Sequence, residues 1–87
     1  MMIRTRFHAR YHIDNFSGGA VIIDSAESEA NAPDRQQMDD LYSEIQEEVH
    51  KSLEDYDGTV SIVKPGKIIV IPVRKIMMVE IVIHNSV

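Results

Sequence analysis

Residues 3–13 read Ile3-Arg4-Thr5-Arg6-Phe7-His8-Ala9-Arg10-Tyr11-His12-Ile13. Ile3, Thr5, Phe7, Ala9, Tyr11 and Ile13 fall at one parity, and the basic and imidazole residues fall at the other. Side chains on a strand alternate between faces, so this stretch predicts one long strand with an apolar side and a charged side. Asp14-Asn15-Phe16-Ser17-Gly18-Gly19 has turn chemistry. Ala20 to Ile23 follows as a short strand, the return arm of a hairpin.

Ser25 to Ala32 is small and acidic, and reads as a loop. Pro33 and Asp34 suit the first turn of a helix, where a missing N–H is harmless and a carboxylate favours the dipole. Met38, Leu41, Tyr42, Ile45, Val49, Leu53 and Tyr56 then lie within about 60° either side of one line at 100° per residue, an amphipathic stripe. The predicted helix covers residues 34–56 and ends at Asp57-Gly58. Thr59 to Val63 reads as a strand, Lys64-Pro65-Gly66-Lys67 as a tight turn, and Ile68 to Val73 and Ile76 to His84 as two further strands. The predicted order is ββαβββ, an α+β domain with one helix on an antiparallel sheet. The 87 residues make a single domain, 1–87.

The last two strands are apolar at both parities. A single helix covers one face of a sheet, so such strands need a second cover. Either the sheet curls into a small barrel or a second copy of the chain supplies the cover. The expected form is a homodimer, with Ile69, Ile71, Met78 and Val82 at its interface. Pro72, Arg74, Lys75 and Glu80 interrupt this apolar stretch, so no membrane span is expected.

The chain carries 14 acidic and nine basic residues, a net charge of −5. Twelve of the acids lie between residues 24 and 57, where only Arg35 and Lys51 oppose them, so that segment is −10 and the remainder +5. A split of this kind bears on partners rather than on fold. Opposite the apolar stripe the predicted helix shows Asp40, Glu44, Glu47, Glu48, Glu54 and Asp55, with Asp39 and Asp57 at the flank. From 40 to 55 a helix rises about 22 Å. The carboxylates are then spaced at roughly the 3.4 Å per phosphate of a DNA strand. Asp24, Glu27 and Glu29 extend the charge through the preceding loop. Solvation alone accounts for many acidic helices, and Glu47 with Lys51 is an ordinary supporting pair. A basic surface that accepts phosphates is the alternative occupant of such a row.

A small, cysteine-free acidic chain with this row of carboxylates resembles the DNA-mimic proteins by which bacteriophages inactivate host DNA-binding proteins. The likeness covers residues 24–57 and rests on charge and size. It implies an inhibitor that occupies a partner's DNA-binding surface through Asp39, Asp40, Glu44, Glu47, Glu48, Glu54, Asp55 and Asp57. An HU-like nucleoid protein, itself two-fold symmetric, is the partner that best suits a dimeric mimic.

Other classes fit less well. With no cysteine there is no disulfide scaffold, zinc ribbon or thiol nucleophile. His8 and His12 are about 13 Å apart on a strand, too far to share a metal ion. The acids lie on a convex face without a cleft, and no phosphate-binding loop or nucleophile elbow is present, so neither an enzyme nor a cofactor is expected. Arg4, Arg6 and Arg10 form a basic ribbon able to lie on phosphates, which makes a nucleic-acid-binding ribbon the alternative function. The acidic pI of 5.2 weighs against it. A structural subunit of a larger particle is a third reading. The N-terminal stretch lacks an apolar run of signal-peptide length, so the expected compartment is the cytoplasm.

Overall fold

A computed structural model describes residues 2–15 and 19–86. The elements are β1 (Ile3–Asn15), β2 (Gly19–Asp24), β3 (Ser28–Ala32), α1 (Arg35–Ser52), β4 (Thr59–Lys64), β5 (Lys67–Pro72), a 3₁₀ turn over Val73–Lys75, and β6 (Ile76–Ser86). This is an α+β fold with one helix on an antiparallel sheet.

β1 is the axis of the molecule. Along one edge its C-terminal half pairs with β2, Tyr11 opposite Ile23 and Ile13 opposite Val21. On the same edge its N-terminal half pairs with β3, Thr5 opposite Ala30 and Ile3 opposite Ala32. β6 runs antiparallel along the other edge, from Arg4 opposite Ser86 to Ile13 opposite Ile76. The segment between β2 and β3 is pinned to β1 by Ser25 N–H donating to Ala9 O at 2.8 Å and by Ala9 N–H donating to Ser25 Oγ at 2.9 Å. The four strands form one sheet, and β4 and β5 form a separate hairpin.

The apolar parity of β1 faces the cover layers. Tyr11 is buried with Val60 and Ile62 of β4, Ile71 of β5 and Val73, and Ala9, Ile13 and Val79 pack against this cluster. Toward the other end of β1, Thr5 is fully buried beneath α1. Its Oγ1 donates to Asn85 Oδ1 at 2.8 Å and touches Met38 Sδ at 3.1 Å. Asn85 Nδ2 in turn donates to Tyr42 Oη at 2.7 Å, so β1, β6 and α1 are tied by one polar chain. The hairpin therefore covers one end of a single sheet face, and the helix covers the other end.

Two elements, β3 and α1, differ from the sequence reading. Residues 28–32, expected as loop, form β3. Their side chains are small, and Ala32 is only 3% exposed where α1 crosses close above it. A strand of small residues carries no period-two apolar signal, and its pairing comes from the backbone. Asp34 is the N-cap and not the first helical residue, with its carboxylate accepting from Gln37 N–H at 2.9 Å. The helix ends at Ser52 instead of Tyr56. Leu53 caps it and stays half-buried against the core, whereas Tyr56 is 68% exposed and takes no part in the stripe. The turn expected over Asp14–Gly19 has its centre, residues 16–18, outside the described residues.

Candidate functional site

The carboxylate row is shorter than the sequence suggests. Asp39, Asp40, Glu44, Glu47 and Glu48 lie on α1 and are all exposed. At 100° per residue Asp40 and Glu47 point away from the buried Met38 and Ile45, with Asp39 and Glu44 at the flanks and Glu48 nearer the buried side. From 40 to 48 the rise is about 12 Å, roughly half the expected span. Glu54, Asp55 and Asp57 are exposed but follow the helix end. The Asp55 carboxylate turns back to accept from Asp57 N–H at 3.1 Å, and Gly58 N–H donates to Asp55 O at 3.0 Å. A Cβ at position 58 would meet Asp55 Oδ2 at 3.0 Å, so glycine there lets the turn close on that side chain. These three acids build a turn and do not prolong the row.

Two bases temper the row at its ends. Arg35 stands 3.9 Å from Asp39 and Lys51 stands 3.9 Å from Glu47, both as exposed i,i+4 pairs. Exposed pairs of this kind are worth a few tenths of a kcal/mol, ~0.3–0.5. Asp40 and Glu44 also border a 250 Å³ groove with Asn31, Gln37 and Leu41. That groove gives the carboxylates a concave flank on the β3 side.

The uncovered face of the sheet holds a constellation absent from the sequence reading. Arg10 sits in register with Asp24 on β2 and with Glu80 on β6. Arg10 Nε donates to Asp24 Oδ1 at 2.9 Å. His8 Nε2 is 3.6 Å from the same Oδ1, and His12 Nε2 pairs with Glu80 Oε1. The hydrogen bond from Arg10 holds the Asp24 carboxyl below its ordinary value and raises the guanidinium above its own. Asp24 therefore neutralises the basic strand and does not extend the acidic surface. Arg10, expected in a basic ribbon, is engaged within its own chain. Strand register carried the signal, since pairing Asn15 with Gly19 places Asp24 across from Arg10.

Among the described residues no group of three or more histidine or acidic side chains is placed to hold a metal ion. Among the described residues no helix is long and apolar enough to cross a membrane.

The residues expected at a dimer interface separate into two groups. Ile71 is 3% exposed in the chain's own core, and Ile69 packs against it. The hairpin shows its other parity outward, with Val63, Ile68 and Val70 each more than half exposed. Met78 is 50% exposed and Val82 half-buried, both on β6. Between β2 and β5 lies an apolar cleft of about 510 Å³, lined by Ile13, Val21, Ile23, Ile69 and Ile71.

Comparison with protein-family models, with curated proteins and with solved structures finds no match for this chain.

Proposed function

We propose that the chain is an acidic interaction protein whose helix α1 occupies the DNA-binding surface of a basic protein. The observation that supports this most directly is that all five helix carboxylates are exposed. Nothing in the fold requires that density of like charge, and like charges at i,i+4 weaken a helix. Asp40, Glu44 and Glu47 form the centre of the contact, with Asp39 and Glu48 beside them. Glu54 and Asp57 contribute at long range from the turn. The engagement of Arg10 by Asp24 weakens the competing ribbon reading, because only Arg4 and Arg6 remain as unpaired arginines of the row among the described residues.

The first partner to test is an HU-like nucleoid protein. Purified nucleoid protein is bound to labelled duplex DNA and titrated with the chain at low and high salt. Release of the duplex at low salt, suppressed at high salt, is the expected result. A chain that shifts the duplex directly belongs to the nucleic-acid-binding class instead. Equal competition by the variant carrying Asp40→Lys, Glu44→Lys and Glu47→Lys overturns the assignment to α1.

A further inference from the structure

The molecule exposes more surface than its mass requires. A 9.9 kDa chain folded as a compact monomer exposes about 5,200 Å². This one exposes 6242 Å². Its radius of gyration is 14.6 Å, against about 12 Å for a compact chain of this length. The excess, about 1,000 Å², is the size that one partner contributes to an ordinary protein–protein interface.

β6 is where a partner fits. Its 11 residues pair with β1 on one side, and among the described residues its other edge is unpaired. The remaining outer edges belong to strands of five or six residues. Long edge strands are ordinarily protected by lysine, proline or an inward charge. β6 contains no lysine or proline. Its one irregularity is the register shift that leaves Met77 as an extra residue opposite the step from His12 to Ile13. Beyond it, Met78 to Ser86 runs without a shift.

We infer that this edge pairs with the same edge of a second copy, antiparallel about a two-fold axis through Val82. Two independent considerations select Val82. It is the midpoint of the regular run from Met78 to Ser86, so this register pairs the whole run with itself. It also sets Glu80 opposite the second copy's His84, on both sides of the axis. An axis through Glu80 would oppose two carboxylates, and an axis through Ile81 would set Glu80 against Val82. In the chosen register Ile81 meets the second copy's Ile83, and Val82 meets its own equivalent. Ile83, which is 36% exposed, and Met78 both gain cover. The product is one continuous sheet of eight strands, with both α1 helices on the same face. This pairing does not depend on the reading of α1 as a partner-binding element.

The chain has no cysteine, which makes the test direct. Light scattering of the wild-type chain gives twice the monomer mass at about 100 µM if the edge pairs. A single Val82→Cys, treated with a short bismaleimide, gives a covalent dimer much faster than Val63→Cys on the exposed hairpin face. His84→Glu sets a carboxylate against Glu80 of the second copy twice per dimer and weakens association about ten-fold, whereas His84→Lys strengthens it. A wild-type monomer at that concentration overturns the pairing. So does a Val63→Cys chain that links as fast as Val82→Cys. Equal dissociation constants for the two position-84 variants overturn the Val82 register.

Discussion

Arg10 Nε donates to Asp24 Oδ1 across 2.9 Å, from the central strand to the strand beside it in direct register. This one contact removes a base from the basic strand and an acid from the acidic segment. The charge division read from the sequence is therefore less complete on the folded surface. Five exposed acids remain on α1, and Glu54, Asp55 and Asp57 follow in the turn beyond it.

The pair makes a pH-dependent contribution of definite sign. The Asp24 carboxyl lies below its ordinary value of 3.8, first through the hydrogen bond from Arg10 and then through the charges of Arg10 and His8, with desolvation opposing. A depressed folded-state value means that the folded chain binds this proton less readily than the unfolded chain. The stabilisation is present above the unfolded value and fades as pH falls through the folded one. The difference in urea midpoint between wild type and Asp24→Asn should hold steady from pH 7 to roughly pH 5 and close in stronger acid. A difference that widens on acidification would contradict the pairing.

Charge reversal on the helix should separate binding from stability. Asp40, Glu44 and Glu47 are exposed and lie outside the core, Glu47 beside Lys51 in a solvent-exposed pair. Replacing all three with lysine should cost binding to a basic partner roughly 100-fold while shifting stability by less than about 1 kcal/mol. Glu54→Lys with Asp57→Lys should cost much less binding, because those residues lie beyond the helix end. Isothermal titration beside urea unfolding of each variant measures both effects. Equal losses from the two sets would show that net charge, and not the α1 surface, governs recognition.

The parts legible in the sequence were those with a period. The alternation of residues 3–13 gave β1, and the spacing from Met38 to Val49 gave the helix and its buried face. β3 was not legible, because Ser28-Glu29-Ala30-Asn31-Ala32 has no apolar alternation and pairs through its backbone. The helix end was misplaced because Tyr56 continues the apolar spacing by coincidence, while Leu53 caps the helix. The polar group around Arg10 needed strand register, which relates residues 10, 24 and 80 only after folding. The burial of Ile71 and the exposure of Val70 needed the hairpin's orientation, since both parities of β5 are aliphatic.

The β4–β5 connection tests a backbone requirement in isolation. Lys64 pairs with Lys67, so Pro65 and Gly66 alone span the turn. Gly66 has φ +80°, a value that fits the third position of a type II turn. A Cβ there meets nothing within 4 Å, so substitution carries conformational strain without a clash. Gly66→Ala should destabilise the fold by about 1–2 kcal/mol, and Gly66→Asn by less. Denaturant midpoints at equal slope give the comparison. An alanine variant of wild-type stability would show that the turn relaxes at no cost.

Neighbouring residues of β5 should behave oppositely. Ile71 is 3% exposed within the cluster formed by Tyr11, Val60, Ile62 and Val73, while Val70 is 57% exposed on the other face of the same hairpin. Truncating Ile71 removes buried methyl groups and leaves a cavity where hairpin and sheet meet. Ile71→Ala should cost about 2–5 kcal/mol. Val70→Thr keeps β-branching on a solvent-facing strand position and should change stability by less than about 0.5 kcal/mol. Both variants are read by urea unfolding at a fixed protein concentration and again at ten-fold dilution. Loss of concentration dependence confined to the Val70 variant would show that the outer hairpin face takes part in association. A large loss from Val70→Thr with little from Ile71→Ala would mean that the hairpin presents its opposite face to the core.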